Sequence, residues 1–269
     1  MDAFIRDIFV KRGIEYVAAS AFDAGLVTNP RLFDRSVSGF AKNMILFLVP
    51  YRVKDVKDRN ISVYAAPRDY HVYMKDLFSK VIPELEALFP GSRFYGMSDH
   101  SPINETLAAG RAGLGVIGDN MRLINEKYGS YVFLGEIYTD AEISTDPASA
   151  PGDCLHCGAC RKACPCDFGE TCLSAVTQKR GALSDKEAEL IKKNGSVWGC
   201  DICQDVCPMN ENAVPTEIGF FKESLIYRLD EKALDRMSDE EFSERAFSWR
   251  GRAVIERNLR IAEGDRSSI

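Results

Sequence analysis

The chain has 269 residues, a formal net charge of −6 and 45% hydrophobic residues, which suits one sizeable core plus a smaller unit and excludes disorder by composition. Its longest strongly apolar run, Met44 to Val49 followed by Pro50 and Tyr51, is far short of the ~20 residues that cross a bilayer, so it predicts a buried strand and no membrane partner. The acidic balance argues against loose, sequence-independent nucleic-acid binding while leaving room for a local basic patch.

From the amino terminus, Asp2 to Arg12 has helical spacing, Ile14 to Ala19 looks extended, and Asn43 to Val49 is the buried strand. Ile61 to Ala65 is expected as a further strand, Tyr70 to about Phe89 as a long amphipathic helix ended by Pro90 and Gly91, and Ser92 to Met97 as another strand. Ile103 to Ala112 is helical in pattern, after which Gly113, Gly115 and Gly118 make a glycine-studded loop. Met121 to Ile124 and Ser130 to Tyr138 flank Asn125-Glu126-Lys127-Tyr128-Gly129 and predict a hairpin. This order of elements predicts an α/β (α+β) core over 1–148. Ser144 to Gly152 is the expected linker into a cysteine-rich domain over 149–212, and 213–269 is expected as a helical C-terminal extension packing on the core. Ser184 with Glu187, and Ser238 followed by Asp-Glu-Glu, have the look of helix starts. Ala253 to Ala262 is helical in spacing, and Arg245, Arg250, Arg252, Arg257 and Arg260 form a basic stretch near the end. On charge alone that stretch is a solvated helix face.

All nine cysteines lie between Cys154 and Cys207. Cys154-x2-Cys157-x2-Cys160-x3-Cys164-Pro165 is the bacterial ferredoxin arrangement, in which three close thiolates hold one cubane and the fourth, before proline, ligates the other. Cys200-x2-Cys203-x3-Cys207-Pro208 repeats the theme. Reciprocal crossing assigns Cys154, Cys157, Cys160 and Cys207 to one [4Fe-4S] cluster. Cys164, Cys200 and Cys203 then need a fourth partner for the second cluster: Cys172, with Cys166 as the competitor. Zinc would accept thiolate pairs, but a tetrahedral site has no use for the third and fourth cysteines of the first run. Disulfides would need an oxidising compartment, and MDAFIRDIFVKRG has no uninterrupted apolar stretch of a secretory signal, so a reducing, cytoplasmic setting is expected.

The stretch Cys200-Asp201-Ile202-Cys203-Gln204-Asp205-Val206-Cys207-Pro208, together with AAGRAGLGVIGDN and YGSYVFLGEI, resembles the epoxyqueuosine reductases. Those enzymes share their overall plan with the corrinoid-dependent reductive dehalogenases. The likeness runs from Arg68-Asp69-Tyr70-His71 to Arg257-Asn258. It implies a cobalamin-binding core beside a two-cluster ferredoxin-like domain, and removal of the epoxide oxygen of epoxyqueuosine in tRNA to give queuosine. Cys172 falls where the family carries its isolated cluster ligand, which leaves Cys166 as the spare thiol. Ser98-Asp99-His100-Ser101-Pro102 matches the segment that carries the family's proton donor, putting the acid at Asp99, where desolvation over an apolar corrin face would let it hold a proton. A structural alternative is that Asp99 caps the helix entered at Pro102. Arg68, Tyr70, Gly115, Gly118, Asn120, Tyr128, Gly129 and Ser130 match positions around the family's cofactor cavity, although the glycines could equally make a tight turn and Asp69 could serve only as a helix cap.

The chain departs from the family in Asp119, where a lysine is usual, in Ser98 and His100, and in a shortened Cys164 to Cys172 segment carrying Cys166. Family members continue into helical repeats beyond the position of Arg257-Asn258, so a short form without them is expected. The resemblance implies tRNA as substrate, with phosphate contacts from the terminal arginines, and a low-potential donor such as ferredoxin or flavodoxin. Two other functions remain open: a corrinoid iron–sulfur reductase of another small molecule, and a two-cluster electron carrier without its own substrate.

Overall fold

Apolar runs, continuous from Met44 to Val49 in the central strand, build a four-stranded antiparallel sheet in the order β1-β2-β6-β3, with β1 at Val17–Ala21, β2 at Asn43–Pro50, β3 at Phe94–Met97 and β6 at Val132–Thr139. A separate two-stranded ribbon pairs β4, Val116–Ile117, with β5, Leu123–Ile124. The computed structural model describes residues 1–54, 56, 58–147, 152–169 and 171–264. It divides into two compact units, one made of Met1–Tyr51, Tyr73–Cys157 and Met209–Ile218, the other of Arg52–Val72, Gly158–Pro208 and Gly219 onward.

In the first unit the sheet is covered on both faces, because successive side chains of a strand point to opposite sides. Phe47 of β2 meets Phe9 of helix α1, Ala3–Val10, at 5.1 Å between ring centroids, and Phe78 of helix α3, Tyr70–Leu88, at 6.1 Å. Gly135, opposite Phe47 in the β2–β6 register, leaves room for that ring: a Cβ there would stand 2.3 Å from it. On the other face Met44, Leu46, Leu48, Met97 and Tyr138 form one apolar cluster with Leu32 and Phe33 of α2, Pro30–Ser36, and Ala108 and Ala109 of α4, Glu105–Arg111.

The second unit is built from short helices. Helix α5, Ala159–Ala163, packs on α8, Ile202–Asp205, and α6, Leu173–Thr177, packs on α7, Asp185–Asn194. Helices α9, Glu231–Arg236, and α10, Asp239–Ser243, lead to α11, Arg252–Glu263, which packs on α7. Both expected helix starts are capping boxes, Ser184 with Glu187 and Ser238 with Glu241. Trp198 is fully buried and its indole donates to the Tyr64 hydroxyl at 2.9 Å.

Several expectations are corrected. Ile61 to Ala65 is no strand. Ile61 makes a single parallel bridge to Trp198, and Val63–Ala65 winds into a 3-10 turn because Ser62 Oγ and Val63 N both donate to the buried Asp201 carboxylate, at 2.6 and 2.7 Å. The hairpin around residues 125–129 stops at one bridge, Asn125 to Gly129; beyond it β5 pairs with β4, and β6 with β2 and β3. The Asn125 side chain decides this, donating to Leu114 O and accepting from the Lys127 and Tyr128 amides, which turns the chain without prolonging a ribbon. Within the second unit the C-terminal helices pack with the cysteine-bearing segment, through Ile261 against Leu173, Leu183 and Ile191, and on Ile61 and Ala65 through Leu234, Phe247 and Ile255. The segment expected as a linker is tied down at its start, where Asp146 accepts from Met1 N and Ala19 N, each at 2.9 Å. Residues 148–151 of it lie outside the described residues.

Candidate active site and cysteine centre

Asp99 occupies the tip of the turn after β3. Its φ is +63°, and His100 N donates to Ser98 O at 2.7 Å, closing a γ-turn around it. A non-glycine residue held there costs about 1–3 kcal/mol, a strain that collects at functional positions. Three contacts hold the turn. Ser98 Oγ donates to Leu134 O at 2.7 Å, Asp99 N donates to Glu105 Oε1 at 3.1 Å, and Ser101 Oγ accepts from Ile103 N at 3.2 Å. Serine at 98, where the family pattern has an apolar residue, thus adds a link to β6. The helix-cap alternative for Asp99 is excluded, since Asn104 caps α4 by accepting from Leu107 N and α4 begins at Glu105. Asp99 and His100 are both exposed, so the chain alone does not supply the desolvation expected at that acid.

Beneath the turn lies an acid pair that motif reading did not single out. Glu136 is fully buried in β6, registered between Leu46 of β2 and Met97 of β3, and Glu105 of α4 faces it. Burial first, then the neighbouring carboxylate, pushes Glu136 well above the ordinary carboxylate range, and burial raises Glu105. A signal was present: Glu136 is the single acid in the strand Val132-Phe-Leu-Gly-Glu-Ile-Tyr.

The glycine loop is explained by its own packing. A Cβ at Gly115 would stand 2.6 Å from Ile124 O, and one at Gly118 2.5 Å from Asn120 Oδ1, an atom that also accepts from Arg122 N. The Tyr128-Gly129-Ser130 group is buried or tightly turned: Tyr128 is 5% exposed, Gly129 has φ +58°, and Ser130 bonds to Asn210 through both its amide and its hydroxyl. In the second unit the Arg68 guanidinium lies over the Phe220 ring at 4.7 Å. Tyr70 is buried, and Asp69 caps α3 by accepting from His71 N at 2.9 Å.

Asp119 replaces the usual lysine and stands 2.8 Å from Nδ1 of His156, which itself has φ +47° and donates its amide to Cys154 Sγ at 3.4 Å. An anion in place of a cation at 119 is thus matched by a histidine in the cysteine loop.

All nine cysteines are free thiols, and the unit boundary puts Cys154 and Cys157 in the first unit and the rest in the second. In the second unit α5 carries Cys160 and ends at Cys164, Cys172 immediately precedes α6, and α8 carries Cys203. Cys200 is close enough to Cys172 and Cys203, and Cys166 to Cys164 and Cys172, to feel their charge. Burial pushes the Cys200 thiol up to about 12, so a bound metal is what would hold it as thiolate. A partly buried thiol set whose members disfavour one another's ionisation at Cys166 and Cys200 fits an iron–sulfur centre. Asp201 anchors this loop with Ser62, Val63 and Gln204 as donors, at 2.6, 2.7 and 3.0 Å.

The terminal arginines do not form the expected solvated face. Arg245 donates to Ser224 O, Arg252 to Leu234 O and Met237 O, and Arg257 to Lys179 O and Gly181 O, so three of them close helix ends and turns. Asn258 is buried and donates to Thr177 O at 2.7 Å and Val197 O at 2.8 Å.

No family model matches the chain. The fold is that of a reductase group known from several solved structures. An epoxyqueuosine reductase from Streptococcus thermophilus superposes with a TM-score of 0.78 at 25% identity, covering 97% of this chain and 80% of that one. A second, an epoxyqueuosine reductase with an epoxyqueuosine-modified tRNA-Tyr stem loop, gives 0.80 at 24%, with the same coverage. A catabolic reductive dehalogenase shares the fold more distantly, with a TM-score of 0.51 at 15% identity, over 94% of this chain and 35% of that one. Among curated proteins, the epoxyqueuosine reductase of Pseudomonas aeruginosa is 36% identical over 194 residues, 68% of this chain and 53% of the relative. The chain belongs to the epoxyqueuosine reductase family. It spans between half and two thirds of the length of the curated relatives it matches.

Proposed function

We propose that the protein is an iron–sulfur, cobalamin-dependent oxidoreductase that converts epoxyqueuosine to queuosine in tRNA. The observation that carries this reading is a fold shared with epoxyqueuosine reductases over 97% of the chain, with a strained acid, Asp99, at the matching turn. Removing the epoxide oxygen consumes two electrons and two protons, leaves a carbon–carbon double bond and releases water. Bound iron–sulfur clusters and cobalamin would supply the electrons at low potential. Cys164, Cys172, Cys200 and Cys203 would hold one cluster, and Cys154, Cys157, Cys160 and Cys207 the other, leaving Cys166 spare. Cobalamin rests on the family resemblance, which points to Arg68, Tyr70, Gly115, Gly118, Asn120, Tyr128, Gly129 and Ser130 as its surroundings. Asp99 would give a proton to the departing oxygen, its exposed carboxyl being desolvated when cofactor and substrate cover it. A ferredoxin or flavodoxin is the fitting donor, in the reducing cytoplasm. No helix among the described residues is long and apolar enough to cross a membrane.

Reductase action on a smaller molecule is the second reading. It is favoured by the commitment of Arg245, Arg252 and Arg257 to backbone carbonyls, which removes the phosphate contacts expected from them.

Anaerobic loading with iron, sulfide and cobalamin, then incubation with epoxyqueuosine-containing tRNA and a low-potential reductant, tests the assignment. Queuosine should form, and Asp99→Asn should slow it by about 100-fold or more with clusters and cobalamin still bound. A loaded protein that leaves the modified tRNA unchanged would refute it.

A further inference from the structure

A carboxyl group in the middle of a sheet is unusual, and Glu136 is an extreme case. The residue is 0% exposed, and neither oxygen has a hydrogen bond of ordinary geometry among the described residues. Its face of the sheet is the apolar one, with Leu46 and Met97 on either side and Leu134 and Tyr138 two residues away along β6. A bare anion in that position would be cut off from bulk solvent and, among the described residues, would face no cation, which makes it far more costly than a neutral acid. Glu105 faces it from the first turn of α4, and two carboxylates in contact cannot both stay ionised. The other titratable groups facing the pair are Tyr138 from β6 and Asp99 from the turn, neither of which brings a positive charge. The apolar cluster around them draws Leu46 from β2, Met97 from β3, and Ala108 and Ala109 from α4.

We propose that Glu105 and Glu136 are the positioning pair for Asp99: Glu136 keeps a proton, and Glu105 accepts the Asp99 amide and so holds the γ-turn that presents the acid. The role toward Asp99 rests on its being the proton donor proposed above. The proton on Glu136 does not. Glu105 can fix the turn only while its oxygen remains an acceptor facing Asp99 N at 3.1 Å. A neutral Glu136 beside it removes the repulsion that would drive Glu105 away. Desolvation supports the assignment, since it favours the protonated form at Glu136.

Two measurements on the full chain test this. The first is unfolding by denaturant as a function of pH, for the wild type and Glu136→Gln. An acid favoured in its protonated form by folding contributes stability that is complete below its ordinary value of 4.5 and is lost as pH rises through its raised value. The wild-type unfolding constant should therefore rise relative to that of Glu136→Gln, by up to about tenfold per pH unit, as pH climbs above the ordinary value of 4.5. Parallel profiles would overturn the proton on Glu136 and leave the reading of Asp99 intact. The second measurement is turnover of the epoxyqueuosine stem loop by the loaded enzyme. Glu105→Ala should lower kcat by about tenfold or more, with KM within about twofold, by misplacing the acid. Glu105→Gln, whose amide oxygen still accepts, should recover most of the loss. Wild-type turnover by Glu105→Ala would overturn the positioning role. Wild-type turnover by Asp99→Asn would overturn it together with the proton-donor reading.

Discussion

Asn210 clamps Ser130 by two hydrogen bonds, its Oδ1 accepting from the Ser130 amide and its Nδ2 donating to the Ser130 hydroxyl, each at 2.8 Å. Both residues are buried, and a Cβ at the intervening Gly129 would stand 2.3 Å from the same Asn210 oxygen. Thus a residue three positions after the last cysteine sets the loop that the family pattern places near its cofactor. Asn210→Ala should cost about 2–3 kcal/mol, because it removes two bonds made by a buried amide and a buried hydroxyl, whereas Ser130→Ala, which loses the hydroxyl bond, should cost about 1 kcal/mol. Urea unfolding of the two single variants and the double variant would measure both and their coupling.

The terminal helix makes the opposite prediction from its charge. Asn258→Ala leaves the Thr177 and Val197 carbonyls without their donor and should destabilise by about 2–3 kcal/mol. Arg260→Ala removes a guanidinium 3.9 Å from the exposed Glu231 and should change stability by less than about 0.5 kcal/mol. If the second change is the larger in denaturant titrations, the structural role assigned to this helix is wrong.

The two competing cysteines can be separated by metal content. Cys172→Ser should lower iron and acid-labile sulfide from about eight to about four per chain after anaerobic loading, while Cys166→Ser should retain about eight. Equal loss in both variants would make Cys166 a ligand or a structural necessity rather than the spare thiol.

Glu187 links a helix start to pH. Its carboxylate accepts from the Ser184 amide and hydroxyl and pairs with Lys179 at 2.9 Å, which holds it down to about 2 against an ordinary 4.5. A lowered acid contributes stability that is complete above 4.5 and is lost as pH falls toward about 2. Because the side chain is partly exposed and screened, the amount is about 1 kcal/mol. Glu187→Gln should therefore be less stable than wild type at neutral pH and approach it below about pH 3, as read by thermal unfolding across that range.

Residues whose role depends on near neighbours were legible in the chain. The helices at α1, α3 and α11, the buried strand β2 and both capping boxes follow from spacing over a few residues. The short intervals between the cysteines are likewise read from the chain alone, and it is on them that the iron–sulfur proposal stands. Reading failed where a distant partner took over a backbone group. Asp201 captured Ser62 and Val63 and stopped a strand. The partners of β6 are β2 and β3, 82 or more and 35 or more residues away, rather than its sequence neighbour β5.

The amino-acid order by itself determined the periodic elements, the thiol pattern and the family, because each is encoded in residues close together along the chain or in a motif. Tertiary structure alone decided that three of the five terminal arginines are tied to backbone carbonyls, that Asp99 sits on a strained turn, and that Glu136 lies beneath it against Glu105. Burial and the pairing of groups far apart in sequence create those facts: a carboxyl or guanidinium acquires its role from the water it loses and the partner it meets.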